Sequence, residues 1–184
     1  MQKFGEIDGY PEGSLFHSRS EIKQAGLHKY TVHGISQING VGCECVVLNG
    51  GYIDDIDNGD EILYTGEGGR KKNQNFQSFD QPFTKGNLHL SKNKFTKDPI
   101  RVIRGYKLKD SIYKPKNARY RYDGLYYLED YWPHTEENGH RIWRYKLIKE
   151  NSSLPPSNKS ENKTERTKVT TNKIKRDPNI PKIL

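Results

Sequence analysis

Apolar and polar residues alternate along much of this chain, and the alternating segments are short and rich in β-branched residues. A period of two predicts a β-strand with one buried face. Five segments show this pattern or a short apolar run: residues 31–35, 44–48, 61–65, 99–105 and 141–148. Residues 120–132 predict either two short strands or one strand bent at Asp123-Gly124. The pattern therefore predicts a mainly β domain.

Two short helices interrupt the predicted strands. The first follows Ser18, which has Glu21 at capping-box spacing and Gly26 as a stop signal. The second is predicted over residues 84–94, with Thr84 as its cap. Many short strands with a few helices are typical of α+β and barrel architectures. We predict an α+β, mainly β fold: a curved β-barrel with short flanking helices.

The composition divides the chain into a domain and a tail. After Glu150 the periodicity ends, and Ser, Asn, Thr, Lys and Pro dominate. This change predicts a folded domain over residues 1–150 and a flexible, basic, disordered linker or tail over residues 151–184. The tail carries eight of the 31 basic residues and three of the 23 acids, so it holds five of the eight net positive charges. Because the domain is nearly balanced, any nucleic-acid binding must be argued from a site.

The cysteines, the histidines and the lack of long apolar runs argue against a metal site, a catalytic site and a membrane span. Cys43 and Cys45 lie two residues apart on a predicted strand, so both side chains are predicted to pack on one face of it. A single pair at this spacing is a poor zinc motif, and free cysteines are typical of a reducing compartment. No signal peptide and no membrane-spanning run is present in the sequence. The six histidines lack ligand or triad spacing. We therefore expect a cytoplasmic protein with no catalytic residue, no metal, no cofactor and no membrane partner.

One stretch, residues 48–70, carries the strongest chemical signal. It reads LNGGYIDDIDNGDEILYTGEGGR, with Tyr52 and Tyr64 flanking a run of acids and with glycine turns at both ends. Two aromatic rings beside a carboxylate at Asp55 are what a pocket for one flat, polar ring requires. From the sequence alone, ordinary strand or core tyrosines are the favoured interpretation.

Further motifs follow this stretch in a fixed order: DQPFTKGNLHL, PIRVIRGY, RYDGLYYLEDYWP and RIWRYKL. Together they resemble the SRA-YDG (SET- and RING-associated) family over roughly residues 2–149. The resemblance implies a curved, PUA-like β-barrel that binds duplex DNA containing 5-methylcytosine or 5-hydroxymethylcytosine and flips that base into a pocket. The layout resembles the reader half of a bacterial modification-dependent endonuclease, in which a fused or associated HNH nuclease domain cuts DNA in the nucleoid.

The resemblance also implies roles for residues of the pocket. Tyr52 and Tyr64 would stack on the two faces of the base, and Asp55 would accept a hydrogen bond from cytosine N4. Backbone N–H groups of residues 49–51 would face cytosine N3 and O2, because glycine allows a close approach. Thr65 would add a contact through its backbone or hydroxyl. The implied pocket residues are Asn49, Gly50, Gly51, Tyr52, Asp55, Tyr64 and Thr65.

Two loops would fill the space that the flipped base leaves in the duplex. Val32, followed by His33, matches a small apolar thumb, and the segment after Arg70 matches a finger loop. The finger departs from the vertebrate Asn-Lys-Arg order, although its amides can still reach base edges and Phe76 can wedge into the stack. The finger residues are Arg70, Lys71, Lys72, Asn73, Gln74, Asn75 and Phe76.

Other motifs are given plainer interpretations. Arg101, Arg104 and Lys92 are candidate phosphate contacts, although each alone is more often a solvated charge. Asp123-Gly124 is predicted to form a tight turn beside a packed Tyr122. Two alternatives to a modified-cytosine reader stay open at this stage: a nuclease that acts through this chain, and a PUA-like RNA-binding module.

Overall fold

In the computed structural model, residues 3–74 and 76–152 are described, and their strands join one sheet on which two helices pack. The strands are β1 (Leu15–Phe16), β2 (Ile35–Ile38), β3 (Gly42–Leu48), β4 (Ile56–Asp57), β5 (Glu61–Thr65), β6 (Ile100–Gly105), β7 (Tyr120–Thr135) and β8 (Arg141–Lys149). The helices are α1 (Arg19–Gln24) and α2 (Lys85–Thr96). The predicted tail lies outside the described residues from residue 153 onward.

The strand order is β2-β3-β6-β7-β8-β5-β4, with β1 paired to β7. All pairs are antiparallel except β3 and β6, which run parallel. The mainly β fold with two short helices is confirmed, but the sheet is open and does not close into the predicted barrel. Strand β4 has only two residues and follows an irregular segment. It therefore forms no backbone hydrogen-bond ladder with β2, the strand at the other end of the sheet, among the described residues.

Two buried clusters lie on opposite faces of the sheet. In β3, Val46 and Leu48 belong to the cluster that α2 covers, whereas Cys45 and Val47 belong to the cluster beside α1. Cys43 packs with Val46, because the register shifts at this point of the β2–β3 ladder. Both cysteines are buried as predicted, but the prediction that they share one face is wrong, since a bulge reverses the alternation.

Asp123 and Gly124 lie inside β7 and do not form the predicted turn. Opposite them, β6 advances two residues from Arg101 to Ile103 while β7 advances three, from Leu125 to Tyr122. Gly124 adopts φ +93°, a conformation that favours glycine at a bulge. The extra residue moves later β7 side chains to the opposite face of the sheet. The alternative of one bent strand is therefore correct.

Local sequence signals account well for the helices and less well for the short strands. The Ser18 hydroxyl accepts the Glu21 N–H at 3.1 Å, and Gly26 follows α1 at φ +77°. Thr84 precedes α2, although its hydroxyl does not cap the helix. The strand predicted over residues 31–35 is wrong, since these residues bend and β2 begins only at Ile35. No helix in the described residues is long and apolar enough to cross a bilayer.

Candidate functional site

A pocket of about 690 Å³ opens between the end of β3, the end of β5 and the start of α2. We call it the central pocket. The sequence-predicted residues that line it are Val32, His33, Asn49, Gly50, Gly51, Tyr52, Asp55, Tyr64 and Arg70. Segments far apart in the chain thus converge on one cavity, and Tyr52, Asp55 and Tyr64 all face it.

Tyr64 forms a rigid wall of the central pocket. It lies on β5 opposite Tyr145 of β8 and is only 3% exposed. Its hydroxyl lies against Gly34, where an added Cβ would come within 2.6 Å of that oxygen. Burial raises the pKa of the Tyr64 phenol, so the ring stays neutral. A neutral, fixed aromatic face is suited to stacking.

Tyr52 is held at the rim by two groups of the loop that follows β5. The Gly68 N–H donates to its hydroxyl at 2.8 Å, and the Arg70 guanidinium lies 4.0 Å from the ring centroid. Arg70 also donates to the Gly51 carbonyl. One face of Tyr52 is therefore covered by a cation, which leaves the other face for a stacking ligand.

Asp55 supplies a carboxylate to the wall of the central pocket. Its Oδ1 accepts the Thr65 N–H at 2.8 Å, and the Thr65 hydroxyl also hydrogen-bonds to the carboxylate. Arg144 of β8 donates to the Thr65 hydroxyl oxygen at 2.8 Å and to the Asp54 carbonyl at 2.5 Å. Burial raises the Asp55 pKa to about 7 against these hydrogen bonds and the Arg144 charge. Thr65 does not line the pocket and instead fixes Asp55.

Gly50 and Gly51, which follow the end of β3, line the central pocket, and one of them is also needed for packing within the protein. Gly50 has φ +67°, and a Cβ there would lie 2.4 Å from the Lys107 carbonyl oxygen. The Asn49 Oδ1 accepts the Lys107 N–H at 3.1 Å. At Gly51 an added Cβ would meet nothing closer than Arg70, at 3.9 Å. Gly50 is thus required by its neighbour, whereas Gly51 leaves open space at the pocket.

The predicted thumb is an exposed loop, and hydrogen bonds from Arg19 hold its backbone in place. Val32 is 84% exposed, and His33 beside it is also exposed. Arg19 of α1 donates to the carbonyls of Tyr30 at 2.9 Å and of His33 at 2.6 Å. Burial and the Arg19 charge lower the pKa of His28 to about 3, so this ring is neutral. The loop therefore presents Val32 from a fixed base.

The predicted finger is the tip of the loop between β5 and α2. The Gly69 carbonyl accepts the N–H groups of Ser78 and Phe79 at 2.8 Å, which closes the base of the loop. At the tip Asn73 adopts φ +67° and Phe76 is 56% exposed. Lys71 and Lys72 are also exposed, and Gln74 accepts the Ser78 hydroxyl at 2.8 Å. Asn75 lies outside the described residues.

Two of the three predicted phosphate contacts are wrong. Arg101 is fully buried and donates to the backbone carbonyls of Leu27, Lys3 and Gly5. Arg104 is also buried, with its guanidinium enclosed by carboxylates. The Lys92 ammonium donates to the Gly40 carbonyl at 2.9 Å, and Lys92 does not line the central pocket. Neither arginine is exposed, because β6 is buried along its whole length.

Several residues that line or support the central pocket were not predicted. Glu67, Asn87, Lys85 and Lys107 join it from the loop after β5, from α2 and from the segment after β6. The Asn87 side chain bonds the Glu67 N–H and carbonyl, both at 2.9 Å, and so fixes the loop to the helix. These contacts span about 20 residues or more, and no local pattern in the sequence indicates them.

The arrangement can hold a flat, polar ring. Two aromatic walls and a carboxylate suit a ring that carries an amino group, and the exposed Lys85 and Lys107 would attract an anion beside it. The described residues hold no group of three or more His, Cys, Asp or Glu side chains that could bind a metal ion.

Comparisons with known proteins identify the family of this domain. The family model described as the SAD/SRA domain matches residues 3–152. The E3 ubiquitin-protein ligase UHRF1 of Xenopus tropicalis is 37% identical over 176 residues, which are 85% of this chain and 23% of that protein. The chain thus spans less than a quarter of the length of this curated relative.

Solved structures similar to this fold include the following two. The modification-dependent TagI restriction endonuclease is 39% identical with a TM-score of 0.76, over 83% of this chain and 54% of that one. The SUVH5 SRA domain bound to fully hydroxymethylated CG DNA is 32% identical with a TM-score of 0.71, over 84% of this chain and 99% of that one.

Proposed function

Because this chain belongs to the SAD/SRA domain family, we propose that it reads duplex DNA by holding one flipped, C5-modified cytosine in the central pocket. The family predicted from the sequence motifs is thereby confirmed. The observation that carries the proposal is the meeting of Tyr52, Asp55 and Tyr64 in one cavity. The base is 5-methylcytosine or 5-hydroxymethylcytosine, and the RNA-binding alternative finds no support in the comparisons.

The energetics of base flipping fit this pocket. Unstacking and unpairing one base costs a few kcal/mol. Stacking on an aromatic side chain returns about 1–3 kcal/mol, and the pocket offers two such rings. A carboxylate at Asp55 accepts the N4 amino group, which selects cytosine over thymine at the same position. Val32 and the exposed Phe76 lie on loops that can enter the duplex and replace the lost base.

We further propose that the chain is the specificity part of a bacterial modification-dependent restriction endonuclease. Its likeness to the TagI endonuclease, of which it covers 54%, supports this assignment. An HNH nuclease domain, fused or associated, would then supply cleavage, and the protein would act in the cytoplasm with access to the nucleoid. A gene-neighbourhood or full-gene sequence that contains no nuclease would contradict this part of the proposal and leave DNA reading intact.

A binding panel tests the reader function. The 184-residue chain is titrated, by fluorescence anisotropy, into duplexes that differ only at C5 of one cytosine, with structured RNA as a competitor. A buried methyl group contributes about 0.8 kcal/mol, so we expect roughly fourfold tighter binding to the methylated duplex than to the plain one. Equal affinity for both duplexes, or stronger competition by RNA, would contradict the proposal.

Removing the rim tyrosine should weaken this binding without unfolding the protein. We expect Tyr52→Ala to raise the Kd for the methylated duplex by about 5- to 150-fold, because one stacking face is lost. Phe95→Ala is the matched control, since Phe95 is 73% exposed on α2 and does not line the pocket. If both variants bind equally well, Tyr52 does not stack on the base.

A further inference from the structure

Glu67 carries an unsatisfied carboxylate oxygen in the wall of the central pocket. The N–H groups of Gly86 and Ile35 hydrogen-bond to this carboxylate, and Gly86 lies against Oε1. Oε2 is buried but accepts no hydrogen bond within the described part of the chain. The His33 Nδ1 lies 3.8 Å from Oε2, beyond hydrogen-bond distance, and the His33 side chain is 65% exposed. The carboxylate is therefore held in place with one acceptor left over.

A buried acceptor without a donor is costly, because the oxygen has lost water and gained nothing in return. Asn87 fixes the Glu67 backbone, and the N–H groups of Gly86 and Ile35 hold the carboxylate, so the side chain cannot easily turn away to solvent. A ligand that brings a hydrogen-bond donor to Oε2 would complete the site. A ligand that brings only a methyl group there would leave the oxygen unsatisfied.

The order of groups around the cytosine ring indicates which donor this is; this step rests on the proposed function. With N4 at Asp55 and with N3 and O2 toward the backbone of residues 49–51, the remaining edge is C5, next to N4. Glu67 follows Thr65, which binds Asp55, with only Gly66 between them. Because Glu67 lines the same pocket two residues after Thr65, we assign it to the edge of the base next to N4.

We infer that Glu67 reads the C5 substituent and makes 5-hydroxymethylcytosine the preferred base. The hydroxyl of the hydroxymethyl group would donate to Glu67 Oε2, whereas a methyl group offers no donor. Hydrogen bonds to charged groups are among the stronger ones in proteins, so we expect about 10- to 100-fold tighter binding of the hydroxymethylated duplex than of the methylated duplex. A 5-formyl group, which can only accept, should bind more weakly than either.

The test combines four duplexes with two conservative variants. The duplexes carry cytosine, methylcytosine, hydroxymethylcytosine or formylcytosine at one position and are otherwise identical. Glu67→Gln keeps an oxygen for Gly86 and Ile35 but turns an NH₂ group toward the pocket. It should lower the hydroxymethyl preference at least fivefold and raise the relative affinity for formylcytosine. Glu61→Gln, which makes the same change on β5 beside Lys146, should alter neither.

Each outcome has one meaning. Equal binding of methyl and hydroxymethyl duplexes by the unaltered chain, or a preference that Glu67→Gln leaves unchanged, would overturn the assignment of Glu67. Equal weakening of all four duplexes by Glu67→Gln would place Glu67 at the amino group and would also overturn it. In each of these cases the proposed function would still hold if the unaltered chain binds the methylated duplex more tightly than the plain one and Tyr52→Ala removes this difference. Thermal melting of both variants establishes that they are folded.

Discussion

Asp55→Asn is expected to abolish the preference for modified cytosine while leaving the fold intact. Asparagine has the same shape but only one acceptor oxygen. If that oxygen keeps the Thr65 N–H bond, the amide NH₂ must face the cytosine amino group, and two donors then oppose each other. An unpaired polar contact of this kind costs about 1–3 kcal/mol, so we expect a 5- to 150-fold higher Kd for the methylated duplex.

Binding should also depend on pH through the same group. Burial raises the pKa of Asp55 to about 7, and only the carboxylate form accepts from N4. The complex favours the charged form, so affinity should rise with pH up to about 7 and level off above it. Below the pKa each pH unit should weaken binding about tenfold. Measuring Kd from pH 5.5 to 8.5 checks this, and the slope should vanish in Asp55→Asn.

The effect on stability has the opposite sign. In the unfolded chain Asp55 titrates near 3.8, so between pH 4 and 7 the folded state binds more protons than the unfolded state. The free energy of unfolding therefore falls as pH rises through this window. Asp55→Asn removes the loss, and we expect it to stabilise the protein by about 1–3 kcal/mol at pH 8 and by little at pH 4.

Asp60→Asn provides the control, since Asp60 carries the same change on a nearby turn and does not line the central pocket. Its binding should match that of the unaltered protein at every pH. An Asp55→Asn variant that binds modified DNA as tightly as the unaltered protein would show that Asp55 is not the acceptor, and a variant that loses stability at pH 8 would contradict the raised pKa.

The pocket could be predicted largely because its main groups lie in one short stretch. Tyr52, Asp55 and Tyr64 fall within 13 residues, joined by turns and by β5, which the sequence pattern placed correctly. Glu67 lies in the same stretch but was missed. Its significance comes from burial against Gly86 and Ile35, and that contact exists only after α2 and β2 have packed.

The arginines of β6 show why the sequence failed elsewhere. In the pattern of residues 99–105, Arg101 and Arg104 look like the polar members of a half-exposed strand. Instead β6 is a central strand buried on both faces between β3 and β7. A buried charge must be neutralised by partners, and the carboxylates and carbonyls that do so are 19 to 98 residues away in the chain. Local alternation cannot indicate partners at that distance.

Removing Arg104 is expected to cause the largest loss of stability of any single change proposed. Its guanidinium binds both oxygens of Asp57, at 2.7 and 2.8 Å, and Oδ2 of Asp123 at 2.9 Å. It also donates to the Gly59 carbonyl at 2.7 Å. These side chains are at most 9% exposed, so Arg104→Met would leave two carboxylates buried without their shared cation. Breaking such a pair from one side costs about 3–5 kcal/mol.

The same network makes acid sensitivity a second measure of the change. Burial opposes the charged form of Asp57, but the Arg104 hydrogen bonds and charge outweigh it and lower the Asp57 pKa. A lowered carboxyl pKa stabilises the fold above the unfolded value of 3.8, and this contribution is lost as pH falls through the folded value. Without Arg104 the Asp57 pKa should rise. The variant should therefore be less stable than the unaltered chain at pH 7, but its free energy of unfolding should fall less than that of the unaltered chain as the pH is lowered.

Arg121→Met is the matched control, because Arg121 also pairs with Asp123 but its side chain is 30% exposed. A partly solvated pair contributes about 0–1 kcal/mol, so its urea midpoint should stay close to that of the unaltered chain. Equal midpoints for Arg104→Met and Arg121→Met would contradict a structural role for the buried network. The expected difference would assign Asp123, the acid of the Tyr-Asp-Gly signature, to a network that holds β6, β7 and the turn at Gly59 after β4 together.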